Sequence, residues 1–258
     1  LAFFLKTFGE GITRLYLQPY NQKIWKFDPC MMDTQMVERI PKPPAQDIID
    51  SANGHFKEGY LHQLYFSYPR KGGIESLCAG IVSQIEESTD IMTNNKVVKI
   101  KKLKDVWQVN TNGNRSFYFE KIINCMPIHE LINCLEDVPE EVLSAAKNLL
   151  YNSIYIVVLN FKRDFIGDHF AAMFPQPDII FHRLSRLNFL GDNYCPKDGS
   201  STIALEITFR DGDPISKMSQ DQLISQCLSD LTKLKLAKEE ELNFTSVHSE
   251  KYAYVIND

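Results

Sequence analysis

Apolar residues follow a helical spacing near the start of the chain. Phe3, Phe4 and Phe8 recur at the interval that is typical of short helices, and Tyr16 continues the pattern. Glycine residues interrupt the pattern after Phe8, and a cluster of prolines follows further along. We therefore predict a helical subdomain over residues 1–58, with a proline-rich segment at its exit.

Alternation of apolar and polar residues then predicts a β-meander. An Asn-Gly pair at residues 112–113 separates two alternating segments and is typical of a hairpin turn. Ahead of the meander, Gly72 and Gly73 precede an amphipathic segment, residues 74–85, that predicts a helix. The second predicted domain, residues 59–130, consists of this helix and of strands at 96–100, 106–111, 117–119 and 121–127.

The second half of the chain predicts an antiparallel sheet with helices. A helix pair is expected between residues 128 and 150, where Pro139 separates two segments and acidic residues open the second. Strands with long excursions and one amphipathic helix suggest an antiparallel sheet backed by helices. The predicted fold class is α+β, derived from an α/β parent. The third predicted domain, residues 131–258, has strands at 154–161, 179–184, 201–209 and 244–254 and a helix at 220–234.

Composition narrows the class of protein. The chain has 258 residues and a net charge of -5, so nucleic acid and anionic membranes, which select basic surfaces, are not expected partners. No apolar run approaches the roughly 20 residues that span a bilayer. The six cysteines show no Cys-x-x-Cys spacing and the histidines show no metal-binding spacing. We predict reduced thiols, no metal and a cytoplasmic location.

The segment from residue 16 to residue 43 concentrates the candidate chemistry. Trp and Tyr offer flat apolar faces with a polar group, and Arg holds carboxylate or phosphate through two hydrogen bonds, so such a segment can form a ligand wall. The alternative is that the aromatic residues are buried in a helical core and the arginine is a surface charge. The candidate residues are Tyr20, Asn21, Lys23, Trp25 and Arg39.

The order of these residues resembles a known family. Pro19-Tyr20-Asn21-x-Lys23-x-Trp25, followed by Met32 and Arg39-Ile40, resembles the substrate-cleft segment of UDP-galactopyranose mutases, especially their eukaryotic branch. Looser versions occur across the amine oxidase and protoporphyrinogen oxidase superfamily of flavoproteins. Two other features resemble segments of that superfamily. One is the glycine pair that precedes a helix, and the other is the β-meander.

The resemblance implies a nucleotide-sugar substrate. Arg183 takes the role of an arginine that a strand carries to the UDP diphosphate, and Arg39 is its partner from the helical side. Two guanidinium groups can neutralise a diphosphate, which carries about two negative charges. Without the family, each arginine is more often a surface residue or a salt-bridge partner. The substrate-binding residues implied are Tyr16, Asn21, Trp25, Gln63, Met173 and Tyr254.

Three positions depart from the family pattern. Gln63 falls where the family has an asparagine, and Met173 falls where it has a tyrosine. Both positions face the nucleotide sugar in the family, so the identity of the substrate stays open. Val255 replaces a proline beside Tyr254, which leaves the contact of the phenol possible but changes the local backbone.

The cofactor implied by the resemblance is FAD. The chain starts at Leu1 rather than Met and contains no Gly-x-Gly-x-x-Gly fingerprint, so we expect a fragment of a longer protein that does not hold FAD tightly by itself. Paired glycines at a helix start let backbone N–H groups approach an anion, although ordinary turns use them at least as often. The cofactor-binding residues implied are Gly72, Gly73, Val97, Val98 and Met126.

Three functions follow as hypotheses. The first is the substrate-binding region of an FAD-dependent mutase that interconverts the pyranose and furanose forms of a UDP-sugar. There the flavin carries the covalent chemistry, Arg39 and Arg183 stabilise the leaving diphosphate, and no side chain acts as acid or base. The second is a flavin oxidoreductase of the amine oxidase or protoporphyrinogen oxidase type. The third is a nucleotide-sugar binding module without catalysis. The oligomeric state is not predicted.

Overall fold

The computed structural model describes residues 1–33, 44–55 and 66–256. The helical elements are α1 (Ala2–Phe8), α2 (Glu10–Ile12), a π-helical turn (Thr13–Leu17), α3 (Gln18–Trp25), α4 (Ala45–Ala52), α5 (Glu75–Ile85), α6 (Ile128–Cys134), α7 (Glu140–Asn148) and α8 (Gln220–Lys233). The strands are β1 (Val97–Lys102), β2 (Trp107–Thr111), β3 (Ser116–Phe119), β4 (Tyr151–Phe161), β5 (Ala171–Met173), β6 (Arg183–Arg186), β7 (Ser201–Phe209) and β8 (Leu242–Val255). The mixture of helices and antiparallel strands confirms the predicted α+β class.

The chain forms two compact units. The larger unit comprises Leu1–Leu77 and Tyr151–Asp258, and the smaller unit comprises Cys78–Leu150. The predicted boundary after residue 58 lies outside the described residues, and the three-part division stays a prediction. None of the helices within the described ranges is both long and apolar enough to cross a bilayer.

The larger unit is built on a five-stranded sheet with the order β5-β6-β7-β4-β8, in which all neighbours are antiparallel. Strand β4, which lies between β7 and β8, buries Val157, Leu159 and Phe161 completely on one face. Because side chains alternate along a strand, Asn152 and Ile154 point to the other face. Helix α8 covers the first face and adds to the same apolar cluster the buried residues Leu223, Cys227, Leu228 and Leu231.

Helix α8 begins at a capping box, which explains why it starts where it does. The Ser219 side chain accepts a hydrogen bond from the backbone N–H of Gln222, and the Gln222 side chain accepts one from the N–H of Ser219. Two donors that a helix start leaves unpaired are thereby satisfied. The helix was predicted over 220–234 and is observed over Gln220–Lys233.

One strand prediction in the second half needs correction, and one strand was missed. Residues 179–184 were predicted as a strand, but the strand is Arg183–Arg186. Ile179 and Phe181 are buried in the core, so their apolar character reflects burial in a turn rather than strand pairing. The short strand β5 was not predicted.

The smaller unit contains the predicted hairpin. Strands β1, β2 and β3 form an antiparallel sheet in that order, and residues 112–115 connect β2 to β3. Helices α6 and α7 follow on either side of Pro139, as predicted. Residues 121–127 were predicted as a strand, and that prediction is wrong. Ile123 is 91% exposed, so within the described residues the alternating pattern meets no surface that would bury it.

Candidate functional site

The C-terminal end of α3 is fixed on the sheet by two polar residues. Asn152 of β4 donates from Nδ2 to the carbonyl oxygens of Ile24 and Trp25 over 3.1 and 2.6 Å. Arg210 donates from Nε to Asn152 Oδ1 over 2.6 Å and from Nη2 to the Trp25 carbonyl over 3.2 Å. These donors satisfy carbonyls that a helix end leaves unpaired, while Lys26 ends the helix in a left-handed conformation.

Within α3, the predicted ligand-wall residues hold one another in place. Asn21 donates from Nδ2 to the Leu17 carbonyl over 2.6 Å, and its Oδ1 accepts from Trp25 Nε1 over 3.1 Å. The Tyr16 and Tyr20 rings are stacked at 5.2 Å between centroids. The amide of Asn21 is therefore occupied by the helix and the indole, and it positions Trp25.

A π-helical turn precedes α3 and carries Tyr16. Gln18 donates its backbone N–H to the carbonyl of Thr13, five residues earlier. Pro19 has no N–H to continue the ordinary helical pattern, which favours a local change of helix geometry at this point. The turn and α3 together bring the two tyrosine rings onto one side.

Lys23 ties the same helix to the segment after β5. Its Nζ donates to the carbonyl oxygens of Phe174 and Gln176, both over 2.9 Å. Burial lowers the pKa of Lys23 to about 8, and the nearby charge of Lys26 contributes to the shift while Asp230 opposes it. Lys23 therefore acts as a strut between α3 and the chain that leads to β6.

Arg183 is paired with a buried carboxylate. It lies on β6 directly opposite Glu206 of β7. Its Nε donates to Glu206 Oε1 over 2.8 Å, and its Nη2 makes a second contact with the same oxygen. Glu206 is 7% exposed, whereas 41% of the Arg183 side chain is exposed. A guanidinium carries five N–H donors in a planar fork, and within the described ranges no hydrogen bond from its Nη1 side is seen, so that side could meet a ligand.

The surroundings of Arg183, Tyr20 and Tyr254 raise the pKa of all three side chains. Burial alone lowers the pKa of Arg183, but the hydrogen bond and charge of Glu206 outweigh it and raise that pKa. Burial raises the pKa of Tyr20 to about 12. Burial, followed by the Glu206 carboxylate, raises the pKa of Tyr254. Near neutral pH the site therefore presents one cation and two phenolic O–H groups.

Aromatic rings surround the pair. The Trp25 and Tyr254 rings meet edge to face at 5.6 Å, and the Tyr20 ring meets the His182 ring edge to face at 6.2 Å. His182 is 1% exposed, and neither ring nitrogen has a hydrogen-bond partner among the described residues. Burial, with the neighbouring charge of Arg183, lowers the pKa of His182 to about 3, so the ring is neutral. The neutral His182 ring packs against the Tyr20 ring.

The structure thus brings several of the sequence-predicted residues together in the larger unit. Met173 of β5 lies opposite Arg183 in the strand register and is 43% exposed. Arg39 and Gln63 lie outside the described residues, so the predicted meeting of two guanidinium groups stays a prediction. The predicted residues that lie on α3, on the π-helical turn before it or on the five-stranded sheet are Tyr16, Asn21, Trp25, Met173, Arg183 and Tyr254.

The glycine pair ahead of α5 has the backbone geometry expected of a close approach. Gly72 and Gly73 both have positive φ, at 78° and 61°, which side chains rarely adopt. The N–H of Gly73 donates to the Tyr194 hydroxyl over 2.9 Å, and that hydroxyl donates to the Pro69 carbonyl over 2.8 Å. One amide of the predicted anion site is thus committed to Tyr194.

The remaining cofactor candidates lie in the smaller unit. Val97 and Val98 open strand β1, and Val98 is 46% exposed. Met126 lies in a local turn in which the Asn124 side chain bonds both its N–H and its carbonyl. These residues are accessible positions on a sheet and in a turn, and their role toward FAD stays a prediction.

Sequence reasoning missed three residues of the site. Glu206 is the single charged residue of strand β7 and lies between apolar neighbours, and this isolated acid was a usable signal because a buried carboxylate needs a partner. Asn152 and Arg210 carry no comparable signal, since their partners on α3 are separated from them by more than one hundred residues.

A guanidinium and aromatic side chains on an antiparallel sheet are groups that can bind an anionic ligand with a ring system. The chain belongs to the family of flavin-containing amine oxidoreductases, whose family model matches residues 22–255. Membership implies FAD as the cofactor. The positive-φ turn at Gly72 and Gly73 has a backbone that lets a phosphate group of such a cofactor approach closely.

Several solved structures share the fold of this chain. The chain is similar to a reduced UDP-galactopyranose mutase, with a TM-score of 0.86 and 19% identity over 98% of this chain and 55% of that one. It is also similar to a candidate protoporphyrinogen oxidase from Exiguobacterium sp. 255-15, with a TM-score of 0.58 and 14% identity over 71% of this chain and 40% of that one. A third similar structure is a redesigned putrescine oxidase. It has a TM-score of 0.55 and 12% identity over 72% of this chain and 42% of that one. The chain therefore spans about half the length of the structures it matches.

Proposed function

We propose that the chain forms the substrate-binding part of an FAD-dependent enzyme of the UDP-galactopyranose mutase type, which interconverts the pyranose and furanose forms of a UDP-sugar. The observation that carries this proposal is the Arg183 guanidinium, which is paired with Glu206 through one edge and is 41% exposed, in the same unit as the Trp25 and Tyr254 rings that meet edge to face. The likeness to a mutase over 98% of the chain supports it.

In this proposal the protein binds and orients the nucleotide sugar. Arg183 stabilises the departing diphosphate, because a charge-assisted hydrogen bond strengthens as negative charge develops on the phosphate oxygens. Tyr254 donates its O–H to the same group, Trp25 forms the wall for the sugar, and Tyr16 stacks on the base. Arg39, Gln63 and Met173 are proposed to complete the cleft.

FAD supplies the nucleophile for the sugar when it is bound, and the residues proposed to hold it are Gly72, Gly73, Val97, Val98 and Met126. The side chains of this chain need not act as acid or base. Their contribution is orientation and electrostatic stabilisation, which the rigid attachment of α3 to β4 through Asn152 favours.

The test is UDP binding and sugar conversion by the natural full-length protein loaded with FAD. Calorimetry should show that Arg183→Ala weakens UDP binding by about 2 to 5 kcal/mol, the range for truncating one partner of a hydrogen-bonded charge pair. Arg163→Ala is the matched control, because Arg163 also pairs with a glutamate of the same unit but lies exposed at the other end of β4. The affinity of the Arg163→Ala variant for UDP should equal that of the wild type.

The conversion of UDP-galactofuranose to UDP-galactopyranose under reducing conditions completes the test. The family name and the likeness to a putrescine oxidase favour one second candidate, an amine-oxidising flavoenzyme. Unchanged UDP affinity in Arg183→Ala together with oxidation of an amine substrate would replace the mutase proposal by that candidate. UDP binding without conversion would instead favour a non-catalytic nucleotide-sugar module.

A further inference from the structure

Glu206 occupies a position that packing alone does not explain. Its neighbours along β7, Leu205 and Ile207, are fully buried, and Glu206 itself is 7% exposed. A carboxylate in such a place is unfavourable unless it is paired, and a buried ion pair is often no more stable than apolar residues of the same volume. The pair with Arg183 therefore calls for an explanation other than stability.

The carboxylate is rigidly held. Glu206 accepts a backbone hydrogen bond from His182 N–H at its carbonyl over 2.9 Å, and strands β6 and β7 continue in register from Arg183 onward. Its Oε1 accepts two donors of one edge of the Arg183 guanidinium. One anion on β7 thus orients the guanidinium that β6 carries.

Resting on the proposed function, we propose that Glu206 is a positioning residue for diphosphate binding. It holds the Nε and Nη2 edge of Arg183 so that the Nη1 side faces the ligand. Without it, the long arginine side chain has to be ordered by the ligand itself. Ordering such a side chain weakens binding by roughly three- to tenfold.

A double-mutant cycle tests this in the natural full-length protein, with UDP and uridine as the two probes. Uridine lacks the diphosphate, so the ratio of the two dissociation constants reports on Arg183 and not on the base pocket. Glu206→Ala should raise the Kd for UDP about three- to tenfold and leave the Kd for uridine unchanged. Glu206→Gln retains an acceptor oxygen and should restore UDP binding to within about twofold of the wild type.

The second arm uses a background without the guanidinium. In Arg183→Met, the further change Glu206→Ala should leave the UDP-to-uridine ratio unchanged, because the residue it positions is gone. Arg183→Met alone leaves a buried carboxylate unpaired, so Arg183→Met/Glu206→Gln, which buries no charge at this site, serves if the single variant does not fold. Thermal unfolding of every variant checks the fold.

Three results would overturn the proposal. Glu206→Ala could weaken UDP and uridine binding equally, which would mean general damage to the unit. It could weaken UDP binding by the same factor in the Arg183→Met background, which would mean that it acts independently of Arg183. It could also leave UDP binding unchanged. A wild-type protein that does not bind UDP overturns the proposed function and this inference together, whereas UDP binding without coupling overturns this inference alone.

Discussion

Asn152 offers the sharpest test of how the site is built. Its side chain is fully buried between β4 and the end of α3, where it donates to two carbonyls and accepts from Arg210. Asn152→Ala removes all of these hydrogen bonds and leaves the carbonyls of Ile24 and Trp25 with only the 3.2 Å bond from Arg210. We expect the larger unit to lose stability and the indole to lose its fixed position.

The magnitude follows from these hydrogen bonds. Each net hydrogen bond contributes about 1 kcal/mol, and a buried group without its partner costs about 1 to 3 kcal/mol. Because the Trp25 carbonyl keeps its bond from Arg210, Asn152→Ala should lower the free energy of unfolding by about 3 kcal/mol. Arg210→Met removes bonds to the same groups, so the two substitutions together should cost less than the sum of their separate effects.

The assay is urea unfolding followed by tryptophan fluorescence. The chain has two tryptophans, Trp25 in the larger unit and Trp107 in the smaller one, so a Trp107→Phe background assigns the signal to Trp25. Asn193→Ala is the matched control, because Asn193 is an exposed asparagine of the same unit. It should change stability by less than about 0.5 kcal/mol.

Two outcomes would refute the reasoning. A loss of stability below about 1 kcal/mol for Asn152→Ala would mean that water or the relaxed chain replaces its bonds at little cost. Full additivity of Asn152→Ala and Arg210→Met would mean that the two residues do not share the end of α3.

Three further predictions concern the framework of the larger unit. The pKa of Lys23 is lowered to about 8 from 10.5, so between these values the unfolded chain binds more protons and stability should rise with pH. Urea midpoints at pH 7.5 and 9.5 should show this rise in wild type and in the exposed control Lys6→Met, and a smaller rise in Lys23→Met, where Lys26, whose pKa burial also lowers, is still present. Leu231→Ala, at a fully buried position of α8, should cost about 2 to 5 kcal/mol in urea unfolding, and a loss near zero would contradict the packing described. Ser219→Ala removes the helix cap and should cost about 1 kcal/mol in thermal unfolding, whereas Ser225→Ala on the exposed side of α8 should not.

The most regular elements of the fold could be predicted from the sequence because local signals coincide there. Strand β7 was predicted over the residues it occupies, since an apolar run is bounded on both sides by turn-forming residues. The hairpin β2-β3 followed from alternation around Asn112-Gly113. Helix α8 followed from its apolar spacing and its start signal.

Other elements could not be predicted because burial and hydrogen bonding are separate requirements. Residues 179–182 are apolar enough to enter the core, yet they run as a turn before β6. Residues 121–127 alternate as a strand does, but a strand also needs a paired neighbour and a surface to cover. A sequence pattern shows which residues tend to be buried. It does not show which neighbouring strand supplies their backbone hydrogen bonds.

The sequence could predict which residues belong to the candidate site, but not how they bond to one another. The order of Tyr20, Asn21 and Trp25 pointed to a ligand wall, but the sequence did not show that the amide of Asn21 bonds to the helix and the indole. The pairing of Arg183 with Glu206 joins two strands across 23 positions and depends on register. Register follows from the whole sheet and not from either segment.

The most direct test of the central claim is a crystal structure of the natural full-length protein with UDP. We predict a phosphate oxygen within hydrogen-bond distance of Arg183 Nη1, with Glu206 still bonded to the Nε edge and the indole of Trp25 lining the same cavity. UDP bound elsewhere on the molecule, or bound here with Arg183 making no contact to either phosphate, would contradict the account.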